Sequence, residues 1–298
     1  MKYRKLYCLM FLFLWATPLF SQMDWLNNKV FKSPDRKHQI WFYWGYNRSG
    51  YTLSDIHFRG DGYDFTLHDV VAKDRQSPFD VSVYFNPQKV TIPQYNIRAG
   101  FFITDRLAIT FGHDHMKYVA VTDQFLTMSG HIDSSASSAY AGTYDNTPMQ
   151  FKTDFVRLEH TNGLNYVSAE ADYSGRLWKS WGEKQALDFF VSYGLGILYP
   201  RSDVDLFNEE GANIFHIAGW GTSFQVGLRF DILPQLFLNA TLKGGYINMP
   251  DVITLYGGDR ASHHFWFLQR ALTLGLSLNT FNKMQANKDP KGLKTFKS

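Results

Sequence analysis

The chain has 298 residues, with 30 Lys and Arg against 27 Asp and Glu, an aromatic content of 17% and one cysteine. Cys8 lies in an N-terminal stretch laid out as an export signal, so neither a disulfide nor a thiolate metal site is expected after processing. Lys2, Arg4 and Lys5 leave with that stretch, which evens the charge balance and gives nucleic acid no electrostatic footing.

Residues 1–21 combine a basic start, an apolar centre and a small residue at Ser21, as a cleaved secretory signal does, and are too short to span a bilayer as a helix. No run of ~18 apolar residues follows, which excludes helical spans. Residues 22–37 are polar and read as a periplasmic lead-in. From Gln39 to Asn47, Ile40, Phe42, Trp44 and Tyr46 share one face, with Gly45 and Asn47 on the other. The excursion from Arg48 to Val90 contains two alternating stretches, Ser54–Ala72, folded about Gly60-Asp61-Gly62, a turn that accepts positive φ. Asp61 and Asp64 lack the regular ligand spacing of a calcium loop and are read as turn residues. This hairpin either joins a wall or stands above it.

Ile92–Ile103 sets Tyr95, Ile97, Ala99 and Phe101 against Gln94, Asn96, Arg98 and Gly100, and a tight turn at Thr104–Arg106 leads into Leu107–Tyr118. Residues 122–148, rich in Ser, Asp, Gly and Thr, read as a loop. Alternation returns in Phe155–His160, Asn165–Tyr173, Phe189–Tyr199, Trp220–Phe230, Leu236–Tyr246 and His263–Leu278. Residues 280–298 carry Lys283, Lys288, Lys291, Lys294 and Lys297 and read as a basic flexible tail.

A series of ~10-residue alternating strands is what a sheet with one face in lipid requires, and only closure satisfies its backbone there. The expected fold is all-β: a transmembrane antiparallel up-and-down β-barrel over 38–279, with short periplasmic turns and long outer loops. It has eight strands, or ten if the hairpin joins the wall. Trp41, Trp44, Tyr118, Tyr199, Trp220 and Trp266 fit interfacial girdles. Arg270 falls on the lipid face, where an unpaired arginine at mid-bilayer costs ~2–4 kcal/mol, so a bulge near Gln269 is expected. Facing inward, Arg98, Arg229 and Lys243 meet Glu170, Asp172 and Asp188, which predicts an ion-pair network closing the lumen.

The densest polar cluster is His113-Asp114-His115 with Lys117 and Tyr118. On a strand, both imidazoles share a face and Asp114 points away. Glu159-His160 and Ser262-His263-His264 fall near other outer strand ends. These are ingredients for a Ser-His-acid hydrolase or a His-carboxylate metal site. Against that stands the use of interfacial histidines to hydrogen-bond headgroups or loops, which is the reading adopted. No nucleophile elbow and no HExxH spacing occurs, and no cofactor or metal is assigned.

The signal, the strand series and the inward glycines resemble the small outer-membrane β-barrel proteins of Gram-negative bacteria. Tyr63–Asp69, Gly112–Tyr118 and Glu159–Tyr166 are similar to segments of barrel proteins without an assigned activity. The resemblance implies a place in the cell outer membrane, with outer-membrane lipids and the barrel assembly machinery as partners. Members commonly end on an aromatic residue read by that machinery, whereas here Leu278 or Phe281 would serve from within the chain. The expected function is a non-enzymatic barrel whose outer loops bind a ligand, a lipid or a partner. A competing reading resembles lipid A deacylases, with Ser262 as nucleophile, His115 or His263 as base and Asp114 or Glu159 as orienting acid. A third is a narrow transporter of apolar solutes.

Overall fold

The computed structural model describes residues 32–279 apart from 79, 85, 87, 90, 91 and 183; the expected export signal, most of the expected lead-in and the expected basic tail lie outside the described residues. The first half of the chain forms β1 (Gln39–Tyr51), β2 (Ser54–Gly60), β3 (Tyr63–Val70), β4 (Ala72–Lys73), a single turn of helix α1 (Val81–Tyr84), β5 (Tyr95–Phe102), β6 (Leu107–Ala120), β7 (Phe125–Ile132) and β8 (Gly142–Gln150). The second half adds β9 (Val156–Lys179), β10 (Ala186–Leu198), β11 (Asp203–Leu206), β12 (Gly219–Asp231), β13 (Leu236–Ile253) and β14 (Arg260–Asn279).

Eight of these strands close a barrel in the order β1-β5-β6-β9-β10-β12-β13-β14, the last returning to β1 along Gln39↔Asn279 to Tyr51↔Phe267. All its pairings are antiparallel. The two-residue rhythm fixes which side faces in. Where β10 meets β12, Phe189↔Leu228, Val191↔Val226 and Tyr193↔Phe224 lie on the outside, while Asp188↔Arg229 and Ser192↔Gln225 lie within. Tyr193, Phe224, Phe111 and Leu272 are 54–66% exposed, which inverts the ordinary placement of large apolar groups and marks a surface meant for acyl chains.

The links at 103–106, 180–185 and 232–235 are short and lie at the end that holds Gln39 and Asn279; the long links lie at the other end, which is therefore the outer one. There the chain builds a second layer. Above the wall, β14 exchanges β1 for β2 through Arg260↔Arg59 to His263↔Ile56, and the sheet runs on through β3, β7 and β8. This sheet wraps an apolar core in which Ile56, Phe58, Phe65, Leu67, Met128 and Phe155 are at most 1% exposed, shared with the outer ends of β6, β9, β13 and β14. Phe58 stacks on Phe65 at 5.2 Å. The domed cap has water rather than lipid outside, so most of its apolar positions face inward, Phe125 at 82% exposure being an exception.

Several expectations change here. The wall has eight strands, and the Ser54–Ala72 hairpin stands above it in the cap. Residues 122–148 are not a loop, since they contain β7 and most of β8. The stretches Phe155–His160 and Asn165–Tyr173 belong to one strand, β9, which passes from cap to wall. No bulge interrupts β14 at Gln269: Leu242↔Arg270 and Lys243↔Gln269 are in regular register, and Arg270 stays outside. Trp41 belongs to the lumen, stacked on Tyr43 at 5.3 Å, because Gly100 opposite has no side chain; a Cβ there would sit 2.3 Å from the indole. Tyr118 is fully buried in the cap core, so neither residue belongs to a girdle.

Candidate functional site

Inside the wall, all six inward charges named from the sequence are buried. They form two layers. In the outer layer, Asp114 lies 2.7 Å from the Arg98 guanidinium and 2.9 Å from Lys243 Nζ, and Glu170 lies 2.8 Å from Lys243 and 3.1 Å from Arg98. Ser168 donates to Glu170, and Asn96, itself bonded to Asn47 and Gln269, donates to Asp114. Two cations thus meet two anions at a level where the barrel offers little water, which is the condition for keeping buried charge. The lower layer joins Asp188 to Arg36 and Arg176, and Asp231 to Arg36 at 2.8 Å and Arg229 at 2.7 Å. Arg229 also lies over the Phe237 ring at 3.6 Å. Asp172 makes no ion pair among the described residues and accepts from Thr110 Oγ1 at 2.6 Å. Between Trp41, Asp172, Arg229 and Phe237 remains a cavity of about 20 Å³, room for roughly one water.

Sequence parity found Arg98, Glu170, Asp188, Arg229 and Lys243. It missed Arg36, which precedes the first strand and has no alternation to place it, and it treated Asp114 as a partner of histidine rather than of Arg98 and Lys243.

The histidine cluster lies outside. His113 and His115 project from β6 to one face and Asp114 to the lumen, as the alternation requires. Asn165 of β9 ties them together: its Oδ1 accepts from His113 Nε2 at 3.2 Å and from His115 Nδ1 at 2.9 Å, while its Nδ2 donates to the Tyr199 carbonyl at 3.1 Å. This fixes the tautomers, leaving the opposite nitrogen of each neutral ring an acceptor. Tyr95 stacks on His115 at 4.9 Å. Above them Lys117 Nζ donates to the Ile92 carbonyl at 2.9 Å, and Arg201 is held at 3.0 Å by Asn213 and lies over Phe215, which stacks on Tyr199. These groups line an outward-facing cleft of about 610 Å³ that contains two cations, two imidazoles, three aromatic rings and no carboxylate. Tyr199, Arg201, Asn162 and Phe215 carried no sequence signal for it, because the barrel's closure brings them beside β6.

The remaining candidates are dispersed. His263 points into the cap and His264 away from it, with Ser262 on the side opposite His263. His263 Nδ1 meets Ser54 Oγ at 3.3 Å, its Nε2 meets His160 Nε2 at 3.3 Å, and His160 Nδ1 meets Ser202 Oγ at 2.9 Å. This Ser-His-His-Ser chain is fully buried and touches no acid: Glu159, on the other face of β9, pairs with Arg75 at 2.6 Å. Burial lowers the His160 pKa to about 3 and holds His263 well below the usual imidazole range. Ser262, His115, Asp114 and Glu159 are therefore not brought together into a triad. Among the described residues no group of three or more His, Cys, Asp or Glu is placed to hold a metal.

A closed wall, apolar without and charged within, crossing by strands, decides the architecture. The chain is an outer-membrane β-barrel. No protein-family model matches it, and no curated protein matches its sequence. Among solved structures it is similar to the outer membrane protein OprG from Pseudomonas aeruginosa, at 7% identity over 83% of this chain and 99% of that one, with a TM-score of 0.37. It is similar to the outer membrane protein AlkL, at 12% identity over 83% of this chain and 93% of that one, TM-score 0.35. For the N-terminal barrel domain of Pseudomonas aeruginosa OprF the figures are 10%, 81% and 98%, TM-score 0.29. The barrel assignment rests on the closed strand order and the apolar belt of this chain itself.

Proposed function

We propose that this barrel does not conduct and acts by binding, with the outer cleft taking the anionic, hydroxyl-bearing headgroup of an outer-leaflet glycolipid. The observation that carries the reading is the composition of the cleft: Lys117 and Arg201 with no carboxylate, beside His113, His115 and Asn165, which suit hydroxyls, and Tyr95, Tyr199 and Phe215, which suit a ring face. Its height supports this. Tyr95 is in register with Tyr46, and Tyr46 with Leu272, which lies near the upper end of the leucine series on β14. The two layers of paired charge across the bore support a plug over a transporter. The dispersal of Ser262, His263 and Asp114 gives the hydrolase reading no support.

The test is binding of purified lipid A by the detergent-solubilised protein, followed by tryptophan fluorescence or calorimetry. Lys117→Gln with Arg201→Gln is expected to weaken binding by roughly 10- to 100-fold, as loss of two charge-assisted contacts requires. Unchanged affinity in a folded double variant overturns the cleft assignment.

A further inference from the structure

We infer a second seat, for the phosphate of an outer-leaflet lipid, on the lipid-facing wall at the β1–β14 seam, built from Arg48 and Arg270. It is distinct from the cleft: in the closed order β14-β1-β5-β6-β9 the strand β5 separates the seam strands from the β6–β9 pair, and the two sites share no lining residue.

Arg48 and Arg270 are direct cross-strand partners. Like charges directly opposite on an antiparallel pair repel, with Cβ atoms ~5 Å apart, and nothing in the wall offsets the repulsion. Arg270 has no hydrogen bond and no ion pair among the described residues and projects between Leu268 and Leu272 of its own strand, beside Leu242 of β13. Arg48 donates to the Asn47 carbonyl at 2.8 Å and to the Tyr84 hydroxyl of α1 at 2.9 Å. The nearby carboxylate, Asp74, accepts from the Ser49 amide at 3.0 Å and from Gln94; its charge acts on Arg48 but not on Arg270, and it does not line the recess between the two arginines. Between the arginines and Gln76 lies a recess of about 280 Å³ that opens to the outside of the wall.

The level is that of headgroups. Arg270 lies nine positions along β14 from Asn279; at ~3.3 Å per residue and a tilt of ~40° that is a height of about 23 Å, near the outer edge of an apolar band ~25 Å tall. A guanidinium there needs an anion, and two in register can share the oxygens of one phosphate, each offering its planar fork. The leucines beside Arg270 would lie along the acyl chains of the same lipid, which favours a lipid phosphate over a free one.

The measurement is native mass spectrometry of the full-length protein in detergent, titrated with phosphatidylglycerol, with phosphatidylcholine and with inorganic phosphate. Phosphatidylglycerol is expected to bind in preference to both. Arg48→Gln with Arg270→Gln should lower its affinity about tenfold, while Arg270→Lys keeps part of it and Lys117→Gln with Arg201→Gln leaves it unchanged. Heat-modifiable gel mobility verifies that each variant is folded. The seat is overturned if phosphatidylcholine binds as well as phosphatidylglycerol, if the folded arginine double variant keeps wild-type affinity, or if inorganic phosphate binds equally well. Failure of the arginine variant alone leaves the cleft standing, and failure of the cleft variant in lipid A binding leaves this seat standing.

Discussion

Lys243 is 1% exposed, with its ammonium between Asp114 and Glu170. Replacing it by methionine keeps the volume and leaves two carboxylates to share Arg98. Loss of one partner from a buried network costs ~3–5 kcal/mol, so Lys243→Met should lower the urea midpoint of unfolding markedly. Asp114→Asn in the same chain should recover part of the loss, and the double-mutant cycle reads the coupling. A different residue sets the room for Arg98: a Cβ on Gly112 would lie 2.4 Å from Arg98 Nε. Gly112→Ala should cost roughly 1–3 kcal/mol by overpacking, seen in the same titration. At this scale the sequence was informative wherever parity held. It put Arg98, Glu170 and Lys243 inside and Arg270 outside, yet the remedy it suggested for Arg270, a bulge, is not what the register shows. Two charges on facing strands are invisible until the strands are paired.

Among the elements, the wall strands were readable because lipid demands an apolar residue at every second outward position. The cap strands β7 and β8 were not. Water bathes their outer face, and in β7 the inward series Leu126, Met128 and Ile132 is broken by an irregularity between Met128 and Gly130, whose φ is 120°. Ser, Asp and Thr on the wet side made the segment look like a loop. The cap also carries its own pH dependence. His160 and His263 lie above the rim, are neutral and buried, and their pKa values fall below the ~6.5 of the unfolded chain. Between ~6.5 and the folded values the unfolded chain binds more protons, so cap stability is fully present above ~6.5 and declines as pH falls, by up to ~1.4 kcal/mol per pH unit for each imidazole. Hydrogen-exchange protection factors in β2, β3 and β7, corrected for the intrinsic pH dependence of amide exchange, should fall between pH 7 and pH 5, and His160→Gln should reduce that change; equal protection at both pH values would contradict it.

For the molecule as a whole, closure was legible and the dome was not, since the sequence counts strands but does not say which of them stop at the rim. With two layers of paired charge across an eight-stranded bore, planar bilayers containing the protein should show no resolved conductance steps under voltage. Regular steps would mean that the layers part. The final strand has a larger consequence. Because β14 grips β1 below and β2 above, the polypeptide delivers last the piece that both zips the cylinder and seats its roof. Until that ribbon docks, an intermediate exposes a raw hydrogen-bonding edge and an unroofed oily interior together, so sealing and roofing form a single event, and a lesion within Arg260–Asn279 abolishes both at once.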